Sequence, residues 1–256
     1  MTVGCIIQVR MGSSRLPGKV LKKLDNKNTV LDYVINQISH CKLIDKIIIA
    51  TTQEKHDDVI VEFAKNKGLL YFRGDSLDVL DRYYQCAKTF SVDVIVRATS
   101  DNPVNDPEII DELIKIFLNN KFDYATNELI RSFPQGICAQ IMSFTTLENT
   151  WNNAKLPSER EHVSPYIEKN KDKFKIYNLK HADNLSHIRL TVDRENDLLF
   201  VQKIIEQIKK KPILINDILK VLEKNPDLLE INKNYVLDEG YKKSLNDDKI
   251  YSESKK

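Results

Sequence analysis

The sequence lacks the cysteine and histidine patterns that bind metals or form catalytic pairs. Its 256 residues include four cysteines, with no C-x-x-C pair and no zinc-ligand spacing, and five scattered histidines. A His/Cys metal site is therefore not expected, and no Ser/His/Asp nucleophilic arrangement is evident. The cysteines are predicted to be small apolar residues of the core: Cys5, Cys41, Cys86 and Cys138.

Long apolar runs and an excess of charge of one sign are also missing. No run approaches the roughly 20 residues that a membrane-spanning helix needs. The first residues have no signal-peptide pattern, so we expect a cytoplasmic protein with no membrane partner. The 39 basic and 37 acidic residues give a net charge of +2. Because nucleic-acid binders usually carry a strong basic excess, no nucleic-acid partner is expected.

The first half of the chain alternates short apolar runs with amphipathic segments. Strands are predicted over residues 3–10, 46–51, 69–73 and 93–98, and helices over 29–40, 57–66 and 79–90. This repetition favours an α/β fold with a mostly parallel central sheet flanked by helices. Right-handed crossovers then bring the carboxyl ends of the strands to one edge, where ligands of such sheets bind.

The second half is less regular. Helices are predicted over 107–119, 196–209 and 215–225, and strands over 137–142, 174–178 and 187–192. From about Glu239 the apolar pattern is lost. We therefore predict a single domain over residues 1–238 and a mobile C-terminal tail over 239–256.

The most informative segment is the loop after the first predicted strand, Gln8-Val9-Arg10-Met11-Gly12-Ser13-Ser14-Arg15-Leu16-Pro17-Gly18-Lys19. Its glycines allow backbone N–H groups to turn toward an anion, and three basic side chains accompany them, which is typical of a polyphosphate site. The loop lacks the Gly-Lys-Ser/Thr ending of a Walker A sequence. It also lacks the three close-spaced glycines of the dinucleotide fingerprint.

The run R-M-G-S-S-R-L-P-G-K in this loop resembles the signature of the cytidylyltransferases typified by the spore-coat polysaccharide protein SpsF. The 3-deoxy-manno-octulosonate and acylneuraminate cytidylyltransferases are similar at a greater distance. Further segments fit the SpsF-like family in the same order over nearly the whole chain: 72–74, 78–84, 97–103, 157–163, 189–193 and 239–245.

The resemblance implies a Rossmann-like nucleotide-diphospho-sugar transferase fold, Mg²⁺ as cofactor and a homodimer. It implies transfer of CMP from CTP to a small acceptor with release of pyrophosphate, for the synthesis of surface polysaccharide or glycoconjugate. The acceptor could be a ulosonic or sialic-type sugar acid, or a metabolite that bears a phosphate or phosphonate. Two alternatives remain open: a transferase that uses UTP or GTP, and a nucleotide-binding regulator without turnover.

Two aspartates that follow predicted strands are candidate ligands of Mg²⁺, which prefers oxygen donors. Asp101 follows the fourth strand, and Asp193 follows the segment 187–192. In the family, aspartates at the matching positions hold the catalytic magnesium, and the resemblance carries that role to both. The alternative is a structural one: Asp101 as a cap or turn residue ahead of Pro103, and Asp193 as the cap of the next helix.

Basic residues of the loop are candidates for binding phosphates. Lys19 and Arg15 are predicted to neutralise the β- and γ-phosphates, and Arg10 either joins them or pairs with a neighbouring strand. With Asp101 they form the predicted catalytic set. The amide of Gln8 could read a base edge. The remaining nucleotide-binding candidates in the loop are Met11, Gly12, Ser13 and Ser14.

Asp78 and Arg82, four residues apart, either form an ion pair on a helix or contact the nucleotide base. Arg97 precedes Asp101 closely and could reach the nucleotide or the acceptor. The acceptor-binding candidates are Arg160, His162 and Gln140. The ordinary pKa of histidine, about 6.5, suits a general base, although a structural role for His162 in a helix packed on the sheet is favoured. Many family members have an acidic pair where residues 133–140 have none, so the acceptor pocket could recognise a different group.

Overall fold

Seven strands form one central sheet within residues 1–236 and 238–254, which the computed structural model describes. They are β1 Val3–Gln8, β2 Lys46–Thr52, β3 Leu70–Gly74, β4 Val94–Thr99, β5 Tyr124–Thr126, β6 Gln140–Ser143 and β7 Ile176–Asn178. Their order across the sheet is β3-β2-β1-β4-β6-β5-β7. β6 runs antiparallel to β4 and β5, and the other neighbouring pairs are parallel. The predicted mostly parallel sheet is confirmed.

Helices cover the sheet and extend beyond its edge. They are α1 Val30–Ile38, α2 Asp58–Asn66, α3 Val79–Thr89, α4 Pro107–Asn120, α5 Phe144–Asn153, α6 Pro157–His162, α7 Pro165–Lys169, α8 Glu195–Ile205, α9 Ile215–Lys224 and α10 Glu239–Glu253. In the described part of the chain, no helix combines the length and the apolar character needed to cross a membrane.

Alternate residues of the central strands enter two separate apolar cores. In β1, Cys5 and Ile7 pack into one core and Ile6 packs into the other; in β4, Val96 and Ile95 divide in the same way. Successive side chains of a strand point to opposite faces, so both faces of this sheet are buried beneath helices. The polar ends of the strands are therefore the part of the sheet that remains open to a ligand.

Polar side chains determine where two of the flanking helices begin. Thr29 accepts a hydrogen bond from the backbone N–H of Asp32, whose carboxylate accepts one from the N–H of Thr29, which is a capping box at the start of α1. Asp106 caps α4 by accepting from the N–H groups of Glu108 and Ile109. Each cap contributes about 1 kcal/mol. In the first half of the chain, every predicted strand and helix is confirmed to within two residues at each end.

The prediction of a strand over 187–192 is wrong. The segment is extended, but its backbone bonds to loops: the N–H of Leu190 donates to the carbonyl of Gln135 at 2.6 Å, and that of Val192 to the carbonyl of Asp101 at 2.8 Å. Leu190 and Val192 are fully buried, so the alternating pattern reflects burial rather than membership of the sheet. The short strand β5 was not predicted.

A helix, α10, occupies most of the predicted tail over 239–256, whose residues 255 and 256 lie outside the described residues. Polar contacts hold this helix. The carboxylate of Asp248 accepts hydrogen bonds from the N–H and hydroxyl of Ser158 in α6, at 2.8 and 2.6 Å. Because α10 has no strong apolar stripe, hydrophobic periodicity could not predict it.

Candidate active site

Two cavities with shared walls open at the carboxyl ends of β1 and β4. The larger has a volume of about 920 Å³ and the smaller about 300 Å³. The larger extends over the loop after β1 and the start of α3, and the smaller over the residues that follow β5. The residues that line both are Gln8, Arg15, Arg97, Thr99, Asp101, His162, Glu239 and Gly240.

The loop after β1 is closed by its own backbone. The carbonyl of Met11 accepts hydrogen bonds from the N–H groups of Ser13 and Gly18, at 2.8 and 3.2 Å. Gly18 has a φ of 65°, a conformation that glycine adopts without strain. Gly12, Ser13 and Ser14 line the larger cavity, whereas Met11 lines neither cavity. Among the described residues, the N–H groups of Gly12 and Ser14 have no acceptor, so they are available to an anion.

Lys19 brings the two predicted metal ligands together. Its ammonium nitrogen lies 2.7 Å from a carboxylate oxygen of Asp101 and 2.7 Å from one of Asp193. Lys19 is 9% exposed. Burial opposes its charge, but the two carboxylates outweigh burial and raise the pKa of Lys19 above its ordinary value. Burial likewise disfavours the charge of Asp101, yet Lys19 holds the pKa of Asp101 below its ordinary value.

Asp193 collects two further cations. Arg15 lies 2.7 Å from one carboxylate oxygen and Arg189 lies 2.6 Å from the other. Arg15 also binds Glu239, at 3.0 Å. The three residues Arg15, Lys19 and Arg189 thus surround one carboxylate, and each of them also pairs with a second carboxylate, that of Glu239, Asp101 and Asp197 respectively.

Neither predicted metal ligand caps a helix. Asp197 caps α8 by accepting from the N–H groups of Asp193 and Arg194, at 3.0 and 2.9 Å. Asp106, five residues after Asp101, caps α4. The cap alternative is therefore wrong for both aspartates, whereas Asp101 does lie in the turn that follows β4, as the other alternative for this residue predicted. Asp101 lines both cavities and Asp193 lines the smaller one.

A chain of four side chains joins the two cavities. Arg97 donates to the amide oxygen of Gln8 and to that of Gln140, both at 3.0 Å. The amide nitrogen of Gln140 in turn donates to the carboxylate of Glu128 at 2.7 Å. Gln140, which was predicted to bind the acceptor, is buried and lines neither cavity, so it lies behind the cavity wall. Glu128, which lines the smaller cavity, was missed by the sequence reasoning, and burial raises its pKa.

The predicted alternative of an ion pair between Asp78 and Arg82 is wrong. Asp78 caps α3 by accepting from the N–H of Asp81, and its other oxygen accepts from both Nε and Nη2 of Arg160. Arg160 also donates to the carbonyl of Trp151 at 2.8 Å. Asp78, Arg82 and Arg160 all line the larger cavity, so Arg160 lies on the side of the loop after β1 rather than in the smaller cavity.

Arg10 and His162 lie where α6 and α10 meet the cavities. Arg10 is half-exposed, and its guanidinium is 3.9 Å from the carboxylate of Glu161. His162 lies 3.0 Å from the hydroxyl of Ser244 and packs edge-on against Tyr241. Burial lowers the pKa of His162. The lowered pKa favours the neutral imidazole.

Helix α10 contributes to both cavities, which the sequence reasoning did not foresee. Glu239 binds Arg15 and Arg194, and Lys243, Ser244 and Asp247 line the larger cavity. In the smaller cavity, Arg131 and Asp238 form a paired contact at 3.0 and 2.7 Å. No local pattern identifies these residues, although the family-like segment 239–245 already pointed to this part of the chain.

The sequence matches a family described as Cytidylyltransferase over residues 4–243. It is 30% identical to the spore coat polysaccharide biosynthesis protein SpsF of Bacillus subtilis, over 87% of this chain and 94% of that protein. It is 32% identical to a 3-deoxy-manno-octulosonate cytidylyltransferase of Pelobacter propionicus, over 47% of this chain and 46% of that protein.

A solved structure of a cytidylyltransferase from Leptospira borgpetersenii is 35% identical in sequence and superposes with a TM-score of 0.87. The match covers 93% of this chain and 100% of that one. The predicted nucleotide-diphospho-sugar transferase fold is confirmed, and the SpsF-like resemblance is confirmed as well.

Proposed function

The chain belongs to the cytidylyltransferase family, and from that premise we propose that it transfers CMP from CTP to a small sugar acid or to a metabolite that bears a phosphate or phosphonate. In this reaction an acceptor oxygen bonds to the α-phosphorus of CTP. The bond between that phosphorus and the oxygen bridging to the β-phosphate breaks, and pyrophosphate leaves. A hydroxyl acceptor gives its proton to solvent as the new phosphodiester forms, whereas an ionised phosphate or phosphonate oxygen forms an anhydride and releases no proton.

The observation that carries this proposal is the meeting of Lys19, Asp101 and Asp193 at the junction of two cavities. A transferase needs a nucleotide and an acceptor on either side of one reacting phosphorus, and the shared wall supplies such a point. Phosphoryl transfer depends on alignment and charge neutralisation rather than on a protein nucleophile. The chain offers both.

We assign CTP to the larger cavity. That cavity contains the free N–H groups of Gly12 and Ser14 and the cations Arg10, Arg15 and Lys19, which suit a triphosphate. The smaller cavity then takes the acceptor. Its polar wall, formed by Glu128, Arg131 and Arg189, suits a substrate with several hydrogen-bonding groups.

Asp101 and Asp193 fit Mg²⁺, because this hard ion prefers oxygen ligands and is commonly bound by one or two carboxylates. Their oxygens lie close enough to contact one cationic group, the ammonium of Lys19, at 2.7 Å each. Bound there, Mg²⁺ would offset the negative charge of the triphosphate and polarise the α-phosphate. Lys19, Arg15 and Arg10 supply further positive charge for the phosphates. Arg97 and Gln8 orient the groups on either side of the junction.

The acceptor assignment follows the relatives. The name of SpsF refers to spore coat polysaccharide biosynthesis, and the name of the Pelobacter propionicus enzyme refers to 3-deoxy-manno-octulosonate. We propose an acceptor of the same general class, a sugar acid or a similar anion, used for surface polysaccharide or glycoconjugate. We also expect a homodimer, which light scattering of the purified protein would detect.

Thermal-shift measurements with each of the four nucleoside triphosphates and Mg²⁺ test the nucleotide, since the true ligand stabilises the folded state by mass action. CTP should give the largest shift. The acceptor is tested by incubation with CTP, Mg²⁺ and a panel of 2-keto-3-deoxy sugar acids, small phosphates and phosphonates, with mass spectrometry for CMP conjugates. A larger thermal shift with UTP or GTP would indicate that the protein uses that nucleotide instead of CTP. Nucleotide binding with no pyrophosphate from any acceptor in the panel would favour a regulator.

A further inference from the structure

Asp57 is a fully buried aspartate that stands at the start of a helix without capping it. It immediately precedes α2, at the position where an aspartate side chain ordinarily accepts a hydrogen bond from the first turn of the helix. In the described part of the chain, its carboxylate accepts no such bond from α2. The side chain is 0% exposed. Its carboxylate therefore serves some contact other than the cap that its position predicts.

That contact is with the loop after β1. One carboxylate oxygen of Asp57 accepts a hydrogen bond from the backbone N–H of Met11 at 2.7 Å, across 46 residues of sequence. The other oxygen accepts from the hydroxyl of Thr52, at the end of β2. Among the described residues, the imidazole of His56, at 3.7 Å, is the only basic group within salt-bridge distance, and the buried Arg82 acts on this charge from farther away. A buried charge with so few partners costs stability, which is typical of a residue at a functional site.

The turn that carries Asp57 is itself held in place. Arg73, on β3, donates to the carbonyl of Thr52 at 2.8 Å and to that of Glu54 at 3.0 Å. It also donates to the carboxylate of Asp58 at 2.7 Å. The N–H of Asp57 donates to the carbonyl of Glu54 at 2.9 Å. Asp57 thus reaches the loop from a fixed support rather than from a free segment.

The contact with Asp57 fixes the residue on which the loop closes. The carbonyl of Met11 accepts from the N–H groups of Ser13 and Gly18, so both polar groups of the Met11 backbone are held. In a trans peptide unit the C=O and the N–H point in opposite directions. The N–H of Gly12 shares its peptide unit with the Met11 carbonyl and therefore points away from Ser13 and Gly18. Gly12 lines the larger cavity.

We infer that Asp57 is a positioning residue, which holds Met11 so that the free N–H of Gly12 is oriented for the nucleotide phosphates before they bind. This role rests on the proposed use of CTP. Donors that are already oriented bind an anion without the entropy cost of ordering a loop. Without the carboxylate, the loop would have to order at the moment of binding, and affinity for the phosphates would fall.

Calorimetric titration of CTP, pyrophosphate and CMP, each with Mg²⁺, tests this role in Asp57→Ala and Asp57→Asn. In Asp57→Ala, affinity for CTP and for pyrophosphate should fall about 10-fold, the scale of one hydrogen bond to a charged group. Affinity for CMP, which lacks the β- and γ-phosphates, should change less. Asp57→Asn keeps an oxygen that can accept from Met11, so it should restore most of the CTP affinity.

The matched control is Asp58→Asn, at the next residue. Its exposed carboxylate pairs with Arg73 and lines neither cavity. Arg73 keeps its two bonds to carbonyl oxygens in this variant, so the turn should persist. The affinities for all three ligands should match those of the wild type.

Losses of equal size for CTP and CMP in Asp57→Ala would indicate general damage to the site and overturn the inference, as would an unchanged CTP affinity. A loss in Asp57→Asn as large as in Asp57→Ala would mean that the charge acts rather than the hydrogen bond to Met11, and would also overturn it. If Asp57→Ala fails to fold, as judged by circular dichroism, amide hydrogen exchange of the wild type decides. The N–H of Met11 should be protected without ligand, and exchange there as fast as at Gly12 would refute the inference.

The proposed function and this inference fail in different samples. Failure of the proposed function appears in the wild-type protein, as tighter binding of another triphosphate or as no binding of CTP. Failure of the positioning role appears in a wild-type protein that binds CTP and pyrophosphate, through the affinities of the variants or the exchange of the Met11 amide.

Discussion

The ammonium group of Lys19 and the carboxylate of Asp193 are 174 residues apart in the chain and 2.7 Å apart in the structure. Lys19 belongs to a loop that closes on itself after β1. Asp193 reaches it because the backbone of Val192 bonds to the carbonyl of Asp101. One hydrogen bond thus links the segments that carry the two aspartates, and the lysine lies between them.

Asp101→Asn should lower turnover at least about 100-fold. Substituting a residue that only hydrogen-bonds to a metal ligand already lowers metal affinity or activity about 10- to 100-fold, and Asp101 is proposed as a ligand itself. The fold should persist because Lys19 keeps its contact with Asp193. Pyrophosphate release with CTP and Mg²⁺ measures the first effect, and thermal unfolding the second. Asp227→Asn, an exposed aspartate remote from both cavities, is the control. Near-normal turnover in Asp101→Asn would remove Asp101 from the site.

Lys19→Ala should weaken CTP binding more than acceptor binding, because the lysine faces the larger cavity. It should also destabilise the protein by about 3–5 kcal/mol, since Asp101 would lose its cation, although Asp193 would keep Arg15 and Arg189. Calorimetry and chemical denaturation measure the two effects. Lys22→Ala, which breaks only a surface pair with Glu195, should change neither appreciably. Equal losses of affinity for nucleotide and acceptor would contradict the assignment of Lys19 to the phosphates.

Removal of divalent metal should abolish pyrophosphate release and reduce the thermal stabilisation by CTP. The reason is that two carboxylates facing a triphosphate repel it unless a cation lies between them. Chelation with EDTA followed by titration of Mg²⁺ tests this expectation. In Asp101→Asn the Mg²⁺ dependence of CTP binding should become shallower. Full activity in the chelator would exclude a role for the metal.

Glu128→Gln should stabilise the protein at neutral pH and have no such effect in acid. Burial raises the pKa of Glu128 above its ordinary value. Such a group contributes its full stability below the unfolded pKa and loses it as pH rises through the folded pKa. The variant and the wild type should therefore have similar melting temperatures at pH 4, whereas the variant should melt at a higher temperature at pH 8. Glu62→Gln, an exposed surface glutamate, should show no divergence. A stability difference independent of pH would rule out the titration of Glu128 as its cause.

Local patterns predicted the first half of the fold well. Buried runs such as β1 and amphipathic segments such as α1 carry their periodicity within a few residues, and caps such as Thr29 mark the boundaries. The strand–helix alternation then requires the ends of β1 and β4 to share one edge. That is why the loop of Lys19 and the carboxylate of Asp101 could be assigned to one site.

Partners of individual side chains could not be predicted in the same way. Asp78 had a plausible partner four residues away in Arg82, yet it pairs with Arg160 from α6. Gln140 lies behind the cavity wall rather than in it, because Arg97 and Glu128 hold its amide. Such contacts depend on which helices meet above the sheet, and no spacing along the chain encodes that.

The amino-acid sequence alone determined the parallel sheet, its binding edge and the loop that leaves β1, because strand burial, helix periodicity and glycine conformation act over short distances. Only the tertiary structure decided that α10 closes part of the site, that Asp193 joins Lys19 and that two nitrogens of the buried Arg82 have no hydrogen-bond partner in the described part of the chain. Those features arise from desolvation and charge pairing between distant segments, which exist only once the chain is packed.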